Sequence, residues 1–225
     1  MSSLPFAPSL GQSFGAALTG VAVILATAAI PVPTVAAEPV VAAQAAETSP
    51  AKKLVANFYS ALLATMKDGA KLKFSGRAER LAPVISQSFD LPAMTRIATG
   101  ARWPGLPPEE QQRLIEAFSR FSVANYASNF DSFSGEQLEV LGEAPATGGG
   151  VIVETRLVPA SGDPVQLNYL LRQSTAGLRI LDVYVNGTIS ELAARRSEFT
   201  SVLARDGARG LAELLETRTR ALATK

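Results

Sequence analysis

The sequence predicts an α+β fold in which helices pack on one face of a four-stranded antiparallel sheet. Apolar residues recur with the helical period from residue 50 to about residue 133, and again after residue 190. Between these regions the period changes to two, and the connections are short and rich in glycine and proline. Each predicted strand has one apolar and one polar face, so the helices must cover the apolar face.

The first fifty residues differ in composition from the rest. Residues 1–49 contain no Lys or Arg, and the apolar stretch Ala16–Ile30 is followed by prolines and small residues at 35–37. This pattern predicts a signal peptide over residues 1–37, or a retained N-terminal anchor, because no basic residue precedes the apolar stretch. Either segment places the remainder outside the cytoplasm. The Ala/Val/Pro/Glu-rich residues 38–49 are expected to be a disordered linker.

Residues 50–222 are predicted to form one α+β domain. Ser49-Pro50 is typical of a helix start, with an N-cap residue followed by proline, and this helix should end at about Lys67. Further helices are predicted over residues 77–89, 91–99, 107–133, 190–205 and 208–222. Strands are predicted over residues 137–142, 151–158, 165–173 and 178–185.

The longest predicted helix has a strongly aromatic face. Its apolar half carries Leu114, Ile115, Phe118, Phe121, Tyr126, Phe130 and Phe133. Two interpretations stay open at this point. The face packs in an ordinary core, or part of it lines a cavity for a lipid.

The composition excludes most catalytic machinery. The chain has no histidine and no cysteine, so it lacks an imidazole base, a thiol nucleophile and the usual zinc ligands. Its 21 Lys and Arg nearly balance its 20 Asp and Glu, which gives no reason to expect nucleic acid as a partner. We therefore expect no enzyme activity, no cofactor and no metal site.

Three charged residues are candidates for a structural or head-group role. Asp182 lies in an apolar strand, where alternation places it on the face of Ile180 and Tyr184. A carboxylate there needs a donor or a cation, which a structural hydrogen bond or a ligand head group would provide. Arg195 and Arg196 fit a solvated helix face, or a contact with an anionic head group or a membrane partner.

Several segments, in their order, resemble one known family. Phe89–Trp103 is similar to that family's FD…M…G..W segment, and an acidic, Gln-rich helix start follows at 108–112. The strand and turn 178–187 resemble a further family element, and Ser190, Arg196 and later residues follow in the expected order. The chain thus resembles the periplasmic phospholipid carriers of the Mla pathway (MlaC-type), also called the toluene-tolerance family.

Within that family, residues 186–192 and 195–199 look most like the hopanoid biosynthesis-associated branch. Two departures suggest a ligand other than a diacyl phospholipid. The usual strand aromatic is Leu178 here, and one extra residue separates Gly187 from Ser190.

The resemblance implies a periplasmic lipid-binding transport protein whose fold encloses an apolar pocket. Its partners would be a phospholipid or hopanoid-type lipid, an inner-membrane ABC transporter complex and an outer-membrane partner. The alternative is a non-catalytic accessory protein of a hopanoid-lipid complex. The residues predicted to bind lipid are Trp103, Phe118, Phe121, Tyr126, Phe130, Leu167, Tyr169, Leu171, Val183 and Val185. The residues predicted to have a structural or head-group role are Asp182 and Arg196.

Overall fold

The computed structural model describes residues 49–224, so the predicted signal peptide or anchor and most of the linker lie outside the described residues. The predicted α+β class is confirmed. The helices are α1 Pro50–Lys67, α2 Gly69–Ser88, α3 Leu91–Thr99, the 3₁₀ helix Gly100–Gly105, α4 Pro108–Asn129 and α5 Glu191–Leu222. The strands are β1 Gln137–Pro145, β2 Val151–Val158, β3 Val165–Ser174, β4 Gly177–Val185 and β5 Ile189–Ser190.

Side-chain caps explain where three helices begin. The hydroxyl of Ser49 accepts a hydrogen bond from the Lys52 amide at the start of α1. The Asp90 carboxylate does the same at α3, and the Ser190 hydroxyl does so at α5. Gly100 ends α3 with a φ of 65°, a conformation that favours glycine.

Helix α2 begins at Gly69, eight residues before the predicted start at residue 77. Its backbone breaks at Lys73, where φ is 55°, so two helical segments follow one another. No glycine or proline lies at that break, so the sequence pattern did not predict it. Gly69 is needed for another reason: a Cβ there would lie 1.9 Å from the Asp131 carbonyl oxygen. At the other end of the chain, the predicted break at Gly207 is present inside α5, with φ 68°.

The sheet has five antiparallel strands in the order β1-β2-β3-β4-β5, one more than the four that were predicted. The additional β5 has two residues, too few for an alternating pattern to be visible.

A bulge in β4 corrects the prediction that Asp182 lies on the same face as Ile180 and Tyr184. Leu170 pairs with Asp182 but Leu171 pairs with Ile180, so Leu181 is an extra residue. Asp182 therefore shares a face with Tyr184 but not with Ile180.

The helices form a layer on one face of the sheet. Helix α1 contacts β1 and β2, whereas α2, α3 and α5 contact β4. The main neighbours of α4 are the other helices α2, α3 and α5. Within residues 49–224, no helix is both long enough and apolar enough to cross a membrane.

Candidate functional site

Most of the predicted lipid-binding residues meet in one buried apolar core. Trp103 and Val185 are half-buried and pack against this core. The other eight are buried, with at most 5% of each residue exposed. Strand register explains the contribution of the sheet, because Leu167 pairs with Val185 and Tyr169 with Val183, which brings all four to the face covered by helices.

At the centre of this core lies an aromatic cluster formed by Phe58, Tyr59, Phe89, Tyr126, Phe130 and Tyr169. The Phe58 ring is 5.3 Å from the Phe89 ring and 5.4 Å from the Tyr126 ring, both edge to face. It also lies 6.2 Å from the Tyr169 ring. The cluster therefore joins α1, the end of α2, α4 and β3.

Sequence reasoning did not include Phe58, Tyr59 or Phe89 in the site. The signal for Phe58 was available, since it lies on the apolar face of α1. Phe89 belongs to the segment that carries the family resemblance, and it forms a backbone bridge to Ile180 of β4. Periodicity shows that such residues face inward, but it does not show which other element they meet.

The hydroxyl groups of the aromatic cluster are hydrogen-bonded to one another. The Tyr169 hydroxyl interacts with the hydroxyls of Tyr59 and Tyr126. The Tyr59 hydroxyl is 2.6 Å from the Thr155 hydroxyl, which donates to the Leu167 carbonyl. Burial raises the pKa of Tyr59 to about 12, and it raises the pKa values of Tyr126 and Tyr169 well above their ordinary value. These phenols therefore stay neutral at physiological pH.

A second aromatic contact region joins α4 to α5. The Phe118 and Phe199 rings are 6.0 Å apart and edge to face. The Arg195 guanidinium lies over the Phe121 ring, 5.1 Å from its centroid. Arg195 is 3% exposed, whereas its neighbour Arg196 is exposed. Of the two arginines, it is Arg195 that reaches the interior, and its position in the sequence did not reveal this.

Asp182 is buried and ties β4 to the start of α5. Its carboxylate accepts hydrogen bonds from the Val183 amide at 2.8 Å, the Ser190 hydroxyl at 2.6 Å and the Leu192 amide at 3.0 Å. Burial raises its pKa, and these three bonds act in the opposite direction. The structural hydrogen bonds that its apolar setting required are present. A role for Asp182 at a ligand head group stays a prediction.

Asp182 belongs to a charged cluster, whose other members are Glu191, Arg195, Glu198 and Arg218. Burial lowers the pKa of Arg195, while Glu191 and Glu198 raise it. Glu198 contacts Arg195 at 4.0 Å and pairs with Arg218, which lowers the pKa of Glu198. The cluster stands beside the Phe121 ring at the interface of α4 and α5.

Glu191 differs from the other members of the charged cluster. Only 3% of the residue is exposed, and within residues 49–224 its Oε2 has no hydrogen-bond partner. Burial raises the pKa of Glu191 to about 7, Arg195 lowers it and Asp182 raises it further. Sequence reasoning missed this residue because an acid in the first turn of a helix is typical of a solvated position.

Two hollows open at the surface, away from the predicted lipid-binding residues. The first, of about 720 Å³, is bordered by α2, the loop after α4 and the end of α5, with Lys73, Phe74 and Leu222 among its lining residues. The second, of about 740 Å³, is lined by α5 residues that include Arg209 and Glu213. Neither contains a predicted lipid-binding residue, so the apolar pocket along α4 stays a prediction.

Within the described part of the chain, no three His, Cys, Asp or Glu side chains are arranged as metal ligands. Within the charged cluster, Asp182 is held by hydrogen bonds and Glu198 by its ion pair with Arg218.

Comparison with known proteins links this arrangement to one family. The model of the MlaC protein family matches residues 56–217, which include nearly all of the described helices and strands. No curated protein gives a significant match. The fold is similar to that of the phospholipid-binding protein from Ralstonia solanacearum, solved in complex with a phospholipid at 1.53 Å. The two are 24% identical, the match covers 78% of this chain and 99% of that chain, and the TM-score is 0.68.

Proposed function

The chain belongs to the MlaC protein family, and from that premise we propose that it is a periplasmic, non-catalytic lipid carrier. The observation that carries the proposal is the buried aromatic and aliphatic interior between α4 and the sheet, built from residues that the periodicity of the sequence had predicted to face inward. The similar fold of a protein that was solved with a phospholipid supports a lipid as the ligand.

The energetic requirement for such a carrier is strict. Hiding a hydrocarbon chain from water is worth about 0.8 kcal/mol for each buried CH₂ group. A carrier must offer a similarly dry environment, since otherwise the lipid stays in the membrane. The buried side chains available for this in the interior are Phe118, Phe121 and Tyr126 from α4 and Leu167, Tyr169 and Leu171 from β3. We propose these side chains as the lining of the acyl-chain site.

Catalysis is not part of the proposal. The chain has no histidine or cysteine, and the three buried phenols are held neutral by their raised pKa values. The Asp182 carboxylate is engaged by three hydrogen bonds of its own fold. These features favour holding a ligand over transforming it.

The ligand and the partners follow from the resemblance of the sequence. We propose a phospholipid or a hopanoid-type lipid as cargo, carried between an inner-membrane ABC transporter complex and an outer-membrane partner. The departures at Leu178 and before Ser190 are the reason to include hopanoid-type lipids.

A second candidate is a non-catalytic accessory protein of a hopanoid-lipid complex. The direct ring contacts within the aromatic cluster favour it, because Phe58, Phe89 and Tyr126 pack at the distances found in an ordinary protein core. In that case the interior would serve stability alone.

Native mass spectrometry of the exported full chain, followed by solvent extraction, separates the two candidates. A carrier should co-purify with close to one lipid per chain, and the extract identifies its class. A protein without lipid that also takes none from vesicles of phospholipids or hopanoids would contradict the carrier and favour the accessory protein.

A further inference from the structure

Glu191 has a feature that the fold does not explain. It is the first residue of α5, yet it is almost fully buried, and its Oε2 has no partner within residues 49–224. Buried polar atoms without a partner are rare, and each costs free energy comparable to a lost hydrogen bond. Capping does not require this carboxyl, because Ser190 and Asp182 already accept from the amides of Ala193 and Leu192.

The carboxyl of Glu191 lies on the interior side of the helix start. Arg195, one turn further along α5, places its guanidinium over the Phe121 ring of α4, 5.1 Å from its centroid, so the buried start of α5 faces the interior beside α4. The charged neighbours of Glu191 are Asp182 on β4 and this Arg195. Glu191 therefore borders the layer between α4 and the sheet that we propose as the lipid site.

The charges around Glu191 restrict what it can bind. An anionic phosphate would be repelled by Asp182 and Glu191, and a cationic amine, although attracted by these two carboxyls, would be repelled by Arg195. Bringing any further charge into this dry region would also carry a large desolvation cost. A neutral hydrogen-bond donor has neither disadvantage, and it satisfies the open acceptor.

We propose that Glu191 is a specificity-determining residue that accepts a hydrogen bond from a hydroxyl group of the bound lipid. This inference rests on the proposed carrier function and adds to it the chemical class of the cargo. It implies that a lipid with a hydroxyl group at the depth of Glu191 is preferred over the same lipid without one.

Two lipids that differ only in the donor test this preference. Dioleoylglycerol has a free hydroxyl, and its 3-O-methyl ether has the same chains without the O–H. Each is titrated against the full chain loaded with a tail-labelled fluorescent phospholipid. We expect the alcohol to displace the probe at about tenfold lower concentration, as expected for a hydrogen bond to a buried carboxyl group.

The variant Glu191→Met removes the acceptor while keeping a side chain of similar length. The preference for the alcohol should then fall to about onefold, whereas Glu213→Met, a matched change at an exposed position of the same helix, should retain it. Circular dichroism checks that each variant is folded. If Glu191→Met does not fold, Glu191→Leu, which also lacks the acceptor, takes its place in the same comparison, and a preference retained in that variant would overturn the role of Glu191.

Equal displacement by both lipids on the unmodified chain would overturn the role of Glu191 while leaving the carrier function intact. A preference that survives Glu191→Met would overturn it as well. Failure of the chain to take up the fluorescent phospholipid at all would contradict the carrier function itself, and the role of Glu191 with it.

Discussion

The aromatic cluster is buried throughout, and the charged cluster is buried at Asp182, Glu191 and Arg195, but the two clusters differ in how far their buried polar atoms are hydrogen-bonded. In the aromatic cluster, the hydroxyls of Tyr59, Tyr126 and Tyr169 are linked to one another, and Tyr59 continues to Thr155. In the charged cluster, Asp182 makes three hydrogen bonds, but Glu191 leaves Oε2 without a partner. Satisfied polar groups hold a fold together, whereas an unsatisfied one keeps binding capacity for something else.

The comparison predicts its largest stability effect in the aromatic cluster. Phe58→Ala removes a fully buried ring that contacts four other rings, which leaves a cavity at the junction of α1, α4 and β3. We expect a loss of about 3–5 kcal/mol in the free energy of unfolding, measured by urea denaturation.

The matched control for this prediction is Phe133→Ala. Phe133 is 40% exposed and contacts Lys67 at the surface, so its loss should be below about 1 kcal/mol. Equal losses for the two variants would show that the aromatic cluster does not contribute to the stability of the fold as described.

The second-largest loss of stability is expected on substitution of Asp182, which holds the start of α5 to β4. Asp182→Ala leaves the Leu192 amide and the Ser190 hydroxyl without their acceptor at the start of α5. A loss of about 2–3 kcal/mol should follow in the same denaturation experiment. Asp182→Asn keeps one acceptor oxygen and should lose less. If both substitutions have no effect, the structural role of Asp182 is wrong, and the head-group interpretation gains support.

The smallest change in the free energy of unfolding is expected for Glu191. Its substitution should stabilise the fold, whereas substitution of Asp182 should destabilise it. The pKa of Glu191 is about 7 in the fold, against about 4.5 when unfolded, so the folded state holds more protons between these values. Stability should therefore fall as the pH rises from about 4.5 to 7. Glu191→Gln removes this dependence, and the variant should exceed the parent by about 2 kcal/mol at pH 8 but by little at pH 4.

Urea denaturation at the two pH values checks this prediction, with Glu213→Gln as the exposed control. A variant that is less stable than the parent at pH 8 would mean that Glu191 makes a favourable contact of its own. It would then belong with the satisfied polar groups, and the contrast between the clusters would disappear.

The sequence predicted the elements wherever the signal was local. Ser49-Pro50 and Gly100 marked helix ends, and alternation gave the four longer strands to within three residues at each end. It missed the break at Lys73 and the bulge at Leu181, because backbone irregularities without glycine or proline leave no compositional mark. The two-residue β5 is formed only by pairing with β4.

Only the part of the candidate site that α4, β3 and β4 contribute could be predicted from the sequence. The aromatic face of α4 and the inward residues of β3 and β4 follow from periodicity. The contribution of Phe58 and Tyr59 from α1 depends on how distant elements pack, which periodicity does not reveal. The distinction between Arg195 and Arg196, and the burial of Glu191, depend on the angle at which α5 meets α4.

The most direct test of the account locates the lipid within the chain. The full chain is loaded with a phospholipid that has a diazirine at the end of one acyl chain, irradiated, and digested for peptide mass spectrometry. We predict cross-links in peptides that contain residues from Phe118 of α4 to Phe130, which follows that helix, or Leu167–Leu171 of β3. Cross-links confined to the surface hollow around Phe74 and Leu222, or none above those of an unloaded control, would contradict a lipid site between the helices and the sheet.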